Sequence, residues 1–533
     1  MPARRRRRRR QVRAAITLAF AAVVVFAAFT GVRAAVNALR ADSERPDDAA
    51  VGSSGDSAPA VPPTLATPVA EDFVLAYPTY LGGIRRDSTG VAPGPDDLEI
   101  SWRVEIGTGL TTRKGDDALV EWSGTGWTGQ STLVYEDGHP WLLIGGYDHG
   151  LRRIDAETGA VGWRAELDDV IKGTNTVYYE PTRPVGDRLV VVTGSRRGVG
   201  LELGDPRIAP LRAFSFATGE EIWRLPVPRT DNYSQDVDAT PLRHRDRLIV
   251  ALEPGYVFAL DTSRPEPGPD GHPMPAVVAR SPLLYTPEDV VSHMEPYGAN
   301  LVLEGSPALL GDRIYVASGS GHVYGLDLRT LAIEWDFALG ADFDGTVVVT
   351  PDGYLLVTCS RTYVPHGGVL KLDPRKPPAE SVVWFFPSED QGIAEWTGGV
   401  VSSVAIDDDP TLGPLGAFTS VDGHVYLVSL DETDGAGPGP DGVTEYPRPK
   451  LLFKDHIKSS IATPALVGDR LVVGGYGNTL HLYALARNGD AIDVTELDVF
   501  EAENAFESTP LIWKGHVYVG SRDGFFYCFG SGP

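Results

Sequence analysis

The sequence predicts an all-β fold, an eight-bladed β-propeller of four-stranded antiparallel blades preceded by an N-terminal transmembrane helix. Three observations carry this expectation. Sixty Gly and 42 Pro among 533 residues, against three Met, describe a turn-rich, strand-rich chain rather than a helical bundle. A unit of four short alternating strands recurs along most of the chain. Tryptophans close these units at nearly regular intervals, which lets them be counted.

The elements follow in order. Arg4 to Arg10 and Arg13 precede nineteen uncharged residues, Ala14 to Val32, closed by Arg33. At ~1.5 Å per residue such a helix is about 28 Å long, close to a bilayer's hydrocarbon core. The dense positive charge before it predicts an inside N-terminus. Residues 1–13 are thus expected to be an Arg-rich cytoplasmic tail and 14–32 a single-pass signal anchor in the cytoplasmic (inner) membrane. The body then lies on the periplasmic or extracellular side. A cleaved signal peptide ending at Val36-Asn37-Ala38 is the competing reading. Residues 33–72, rich in Ala, Pro, Ser and Asp, read as a flexible linker. The folded body, 73–533, begins at Phe73.

The clearest repeat runs from Ser306 through Gly311-Asp312 and Gly321 to Leu326-Asp327, followed by Trp335. Thr463 to Leu485 and Thr509 to Phe529 repeat its first three strands, and Ile144 to Trp163 its second half. Trp102, Trp163, Trp223, Trp335 and Trp384 are spaced by 61, 60, 112 and 49 residues. The gap of 112 is two repeats, with Leu284-Tyr285 in the missing position. Leu451-Leu452-Phe453 and Val499-Phe500 occupy the last two, giving eight. The final unit lacks a fourth strand, whereas residues 98–106 around Trp102 form a fourth strand without its first three. Joining them closes the ring and removes the open edge. Seven blades is the alternative, since the unit at Arg243 to Tyr285 is the most degenerate.

Charge and composition exclude several functions. The formal charge is −25, yet residues 1–40 carry ten Arg and no other charged side chain, leaving −35 on the rest. A body so acidic repels phosphate backbones, and no nucleic-acid partner is expected. Cys359 and Cys528 are 169 residues apart, so there is no disulfide framework, no CxxCH haem site and no Cys/His zinc cluster. GxSxG and HExxH are absent. Gly124 to Gly129 matches GxGxxG, but strand signals follow it and no helix pattern is nearby, so a turn or loop is expected. Asp261 to Gly271 and Asp431 to Gly442 read as surface loops, the second with Asp431, Asp434 and Asp441 as candidate Ca²⁺ ligands but without EF-hand spacing.

Tyr518-Val-Gly-Ser-Arg-Asp-Gly-Phe-Phe-Tyr527, and Ile154-Asp-Ala-Glu-Thr-Gly followed by Trp163, resemble PQQ-like β-propeller repeats. The resemblance covers roughly residues 98–533. Such repeats occur in quinoprotein dehydrogenases and in outer-membrane assembly lipoproteins of the BamB type. BamB-like relatives imply protein docking in the bacterial envelope. The dehydrogenases imply a channel-mouth Ca²⁺, a PQQ cofactor, an Asp base, a Trp floor and a vicinal disulfide. This chain has no adjacent cysteines, so PQQ and calcium remain only an alternative and no cofactor is expected.

In a propeller the residues opening each innermost strand ring one mouth of the central channel. In order they read Trp127 and Gln130, Tyr179 and Glu180, Tyr233 and Asp238, Glu304, Asp342 and Asp344, Trp396, Lys458, and Phe506 with Glu507. The binding rim is accordingly assigned to Trp127, Glu180, Tyr233, Asp238, Glu304, Asp344, Trp396, Lys458 and Glu507. Carboxylates and aromatics in one ring suit a cation, a cationic peptide or a planar polar ligand. No catalytic residue is assigned. A membrane-anchored, non-catalytic binding or scaffolding module for envelope proteins is the function expected. The alternatives are a PQQ/Ca-dependent dehydrogenase and a Ca²⁺- or small-ligand-binding module.

Overall fold

A computed structural model describes residues 67–68, 73–114, 118–294, 300–389, 392 and 396–530. Eight antiparallel four-stranded units succeed one another around an axis. They span 132–166, 176–225, 242–280, 308–338, 348–387, 405–456 and 465–501, with 511–529 completed by Ile100–Glu105. We number them blades 1 to 8. The closure inferred from Trp102 is present: Ile100–Glu105 runs antiparallel to Phe525–Phe529, with Trp102 opposite Cys528.

The repeat residues hold blades together. Asp327 Oδ1 accepts from the backbone N–H of Thr330 (2.7 Å), and Asp155 Oδ1 accepts from those of Glu157 and Thr158 (both 2.9 Å). Each closes the turn into the outer strand. The tryptophans latch neighbours by donating Nε1–H to a turn carbonyl of the next blade. Trp102 reaches Ala156 (3.1 Å), Trp163 reaches Phe216 (2.8 Å) and Trp335 reaches Lys376 (3.0 Å). Gly159, at φ +75°, lies flat under Trp102, and a Cβ there would sit 2.9 Å from the ring. The Thr-Gly of the repeat is thus a packing requirement. Between blades the inward and outward faces of adjoining sheets form a chain of apolar clusters, such as Val190, Val192, Trp223, Val250 and Leu260.

Three local expectations are corrected. The outer strand of blade 3 is Pro273–Arg280, and Leu284-Tyr285 lies beyond it, packed with Leu301 and Val316. Asp261 to Gly271 is not a free loop, because the strand Tyr256–Pro267 runs on and pairs with Pro273–Arg280. Likewise His424–Pro438 and Glu445–His456 form a long hairpin through most of Asp431 to Gly442. In it Asp441 accepts from the N–H groups of Val443 and Thr444, closing its own turn. Backbone pairing outweighed the Gly/Pro/Asp composition in both places.

The transmembrane helix expected at 14–32, the tail 1–13 and almost all of the linker 33–72 lie outside the described residues. Among the described residues no helix is long and apolar enough to cross a membrane.

The repeat pattern gave no warning of what residues 73–91 do. Phe73–Tyr77 pairs with the innermost strand of blade 1, Thr132–Glu136, on its axial side. The chain then crosses the axis, bonding to each blade in turn. Pro78 O accepts from Val177 N of blade 2 (2.8 Å), Ile84 O from Leu309 N of blade 4 (2.7 Å) and Arg85 O from Val349 N of blade 5 (2.9 Å). Tyr80 Oη bonds Thr463 Oγ1 (3.0 Å), entering blade 7, and reaches Ser403 Oγ (3.5 Å), entering blade 6. Gly90–Val91 pairs in parallel with Ile512–Trp513 of blade 8. Arg86, fully buried, binds Thr240 O and Pro241 O before blade 3 and Pro307 O before blade 4. The channel is plugged by its own N-terminal segment.

Candidate functional site at the axial mouth

The plug leaves a recess on the side where each innermost strand begins. Tyr80 lines it together with Trp127, Asp238, Glu304, Asp344, Thr346, Val401 and Ile461. The loops entering blades 1, 3, 4 and 5 supply its polar groups, because backbone at a strand's start turns side chains toward the axis. A second insertion reaches one of its lining carboxylates, Glu304. Thr108–Thr112 and Leu119–Ser123 form a hairpin, and Lys114 at its end reaches between blades 3 and 4. Its Nζ lies 3.6 Å from Glu304 Oε1, 3.7 Å from Glu253 Oε2 and 4.6 Å from the Tyr233 ring centroid.

Acidic groups dominate one side. Asp236 accepts from Arg196 Nε (2.9 Å) and from the Arg197 N–H (3.0 Å). Asp238 is ion-paired to Lys172, whose ammonium sits 4.2 Å from the Trp127 ring. Ligand atoms of Asp238, Glu253 and Glu304 lie within 4.8 Å of one another. Both Glu253 carboxylate oxygens, Asp238 Oδ1, Asp342 Oδ1 and Asp344 Oδ2 are buried without a hydrogen-bond partner. Such crowding moves their titrations. Burial and then the Glu304 charge push Asp342 up to about 7. Burial, Asp342 and Glu304 together raise Asp344, and burial with the Asp238 charge raises Glu253. Burial works against charge on Lys114, but Tyr233, Glu253 and Glu304 hold it well above the usual lysine value. The opposite side is aromatic: Trp127 and Trp396 have ring centroids 5.6 Å apart, joined by Val401, Val421 and Ile461.

Of the nine residues assigned from sequence, Trp127, Asp238, Glu304 and Asp344 line the recess, Tyr233 stands beside Lys114, and Trp396 backs Trp127. Glu507 is buried on the same face and binds Arg522 with both oxygens (2.9 and 3.0 Å). Two assignments are corrected in position. Glu180 follows the far end of the strand Thr176–Tyr179, bound to Thr182 (2.8 Å) and Thr262 (3.1 Å), because that strand begins at Thr176 rather than at Tyr179. Lys458 is exposed on a turn at φ +64°. Gln130 instead fastens the plug, accepting from Tyr77 Oη (3.0 Å) and Leu81 N (3.1 Å), while Phe506 is core. Gly124 to Gly129 is the expected turn, with no helix after it. Gly126 abuts Glu507 Oε2 so closely that a Cβ would come within 2.4 Å.

Lys114, Lys172, Asp236 and Glu253 were missed. Glu253 and Lys114 lie outside the innermost-strand position of the repeat, so no repeat signal marks them.

A family model described as outer membrane protein assembly factor BamB matches residues 128–289, which contain blades 1 to 3. Over those residues the chain is similar to that family's propeller repeat. No curated protein sequence matches this propeller significantly. Solved structures share its fold at low identity. Quinohemoprotein alcohol dehydrogenase from Comamonas testosteroni is 13% identical with TM-score 0.53, over 86% of this chain and 81% of that one. A europium-containing methanol dehydrogenase is 11% identical with TM-score 0.52, over 81% and 93%. BamB from Moraxella catarrhalis is 16% identical with TM-score 0.46, over 81% and 98%. At such identities the likeness of this chain to the two dehydrogenases is one of fold.

Proposed function

We propose that this chain is a membrane-tethered, exported propeller that acts as a non-catalytic docking module for an envelope protein or cationic peptide. The observation that carries this reading is the filled axis. Beside the plug residue Tyr80, the recess leaves about 30 Å³ for the centre of a water molecule. A planar tricyclic quinone needs a pocket on the order of 300 Å³ or more. Its carboxylates would also face Asp238, Glu304 and Asp344. Cys359 and Cys528 are single buried thiols in different blades, so no vicinal disulfide is available. The residues present do not fit PQQ.

Docking draws support from three further features. The matched family model is named for an assembly factor. Residues 14–32 have the length and Arg flank of an anchor. The charge of −35 beyond residue 40 favours a cationic partner and a salt-sensitive complex.

Thermal unfolding of the full chain, with and without PQQ plus Ca²⁺, tests the reading against its rival. The expected result is no change on adding PQQ to a Ca²⁺-containing sample, together with co-purification of an envelope protein that is lost at high salt. A rise in melting temperature that requires PQQ would return the dehydrogenase reading to first place.

A further inference from the structure

The recess has the size and the walls for one small cationic group. It leaves about 30 Å³ for the centre of a water molecule, room for an ammonium head and little more. Trp127, Thr128, Gly173, Glu304 and Asp344 line it and are partly exposed, so it is reached from the surface. Tyr80 and Trp127 supply aromatic surface, while Val401 and Ile461 supply an apolar wall for a methylene stem. Trp127 and Thr128 hold φ at +51° and +63°, backbone that is costly for residues with a Cβ.

The protein seats two of its own ammonium groups beside this space in the same manner. Lys172 is ion-paired to Asp238 and lies 4.2 Å from the Trp127 ring. Lys114 lies 3.6 Å from Glu304 Oε1 and 4.6 Å from the Tyr233 ring. These cations do not exhaust the carboxylates. Asp238 is only 7% exposed, and its Oδ1 has no hydrogen-bond partner while Lys172 takes Oδ2. Asp344 Oδ2 is likewise buried and unpartnered, and both residues line the recess. A buried carboxylate oxygen in this state is costly until a donor or an opposite charge reaches it.

We propose that the recess receives the ammonium of one lysine side chain presented by the docked partner. Asp238, Glu304 and Asp344 answer its charge, and Tyr80, Val401 and Ile461 flank its stem. A compact ammonium suits this space, whereas a planar guanidinium with five N–H groups does not. The inference rests on the docking reading for the source of the lysine. It adds the side chain by which that partner is recognised.

The test uses the purified full chain in EDTA with capped Gly-Lys-Gly, the same peptide acetylated at Nε, and capped Gly-Arg-Gly. Calorimetry and tryptophan fluorescence read the binding. Wild type is expected to bind the lysine peptide, and to bind the acetylated and arginine peptides at least tenfold more weakly. Asp344→Asn is expected to weaken the lysine peptide at least tenfold. The proposal is overturned if wild type does not bind the lysine peptide, if acetylation leaves binding unchanged, or if Asp344→Asn binds as wild type does. Equal binding of the arginine peptide overturns the choice of lysine. Should Asp344→Asn fail to fold, the lysine and acetyl-lysine peptides on wild type decide the matter alone. Failure of the docking reading shows separately, as no envelope protein co-purifying beside intact peptide binding. Failure of the recess shows as co-purification that Asp344→Asn leaves unchanged.

Discussion

Two N-terminal insertions attach to the ring by opposite means. The plug, 73–91, is knitted in by backbone: it pairs with the innermost strands of blades 1 and 8 and bonds to the main chain of blades 2, 4 and 5. Its one deeply buried charge, Arg86, faces no carboxylate. Five donor contacts, to Pro307 O, Thr79 Oγ1, Tyr80 O, Thr240 O and Pro241 O, absorb it. The hairpin with strands Thr108–Thr112 and Leu119–Ser123 meets the ring through hydrogen bonds that each involve a side chain, including His149 to Leu110 O (2.7 Å) and Arg522 Nε to Ser123 O (3.0 Å). Arg196 donates to Thr111 Oγ1 (2.7 Å), the Gly200 N–H to Thr112 Oγ1 (2.9 Å), and Lys114 hangs between carboxylates. Its outer face exposes Leu110 and Leu119. Main-chain pairing to many blades makes the plug part of the core, whereas a few side-chain contacts leave the hairpin removable.

The sharpest way to break this comparison is Arg86→Met. It orphans carbonyls of three segments at the axis, and a loss of about 3–5 kcal/mol is expected. Urea unfolding would read this as a lower midpoint, and an unchanged midpoint would mean the plug is dispensable.

Next in size is Asp342→Asn, measured in EDTA. The folded pKa of Asp342, about 7, lies above the ordinary carboxylate value, so folding favours its protonated form. The stability it supplies is complete near pH 4 and is lost as pH rises through about 7. The variant should therefore match wild type near pH 4 and exceed it at pH 8 by on the order of 1–3 kcal/mol. A difference independent of pH would show that this carboxyl does not titrate in that window.

Thr111→Val removes the acceptor for Arg196 and loosens the hairpin alone. The expected cost is about 1 kcal/mol in global unfolding. Amide exchange should quicken across 108–112 and leave 73–77 protected, and equal acceleration of both segments would erase the distinction between them. Smallest is Lys458→Ala, where the exposed side chain stands outside the recess. A melting temperature shifted by more than the equivalent of about 0.5 kcal/mol would require a contact at that turn.

How much of this was legible follows from what a repeat encodes. Gly159 and Trp102 together mark one blade-to-blade latch, and the missing fourth strand after Phe529 pointed to Ile100–Glu105 as its partner. Trp127, Asp238, Glu304 and Asp344 were also readable, since they occupy one repeat position and a propeller places that position at one mouth. Glu180 was misplaced because two adjacent tyrosines obscured where its strand begins. The outer strand of blade 3 was misread because Pro273–Arg280 carries no tryptophan.

The sequence alone thus determined the strand unit, the blade count, the closing seam and the acidic, aromatic character of the mouth, all of them local patterns repeated at fixed spacing. Only the tertiary structure decided that the axis is filled and that Lys114 meets Glu253 and Glu304. Residues 73–91 and 108–123 belong to no repeat. Their partners lie as far as some 420 residues away in the chain, at Ile512 for Gly90, and become neighbours only when the ring closes around them.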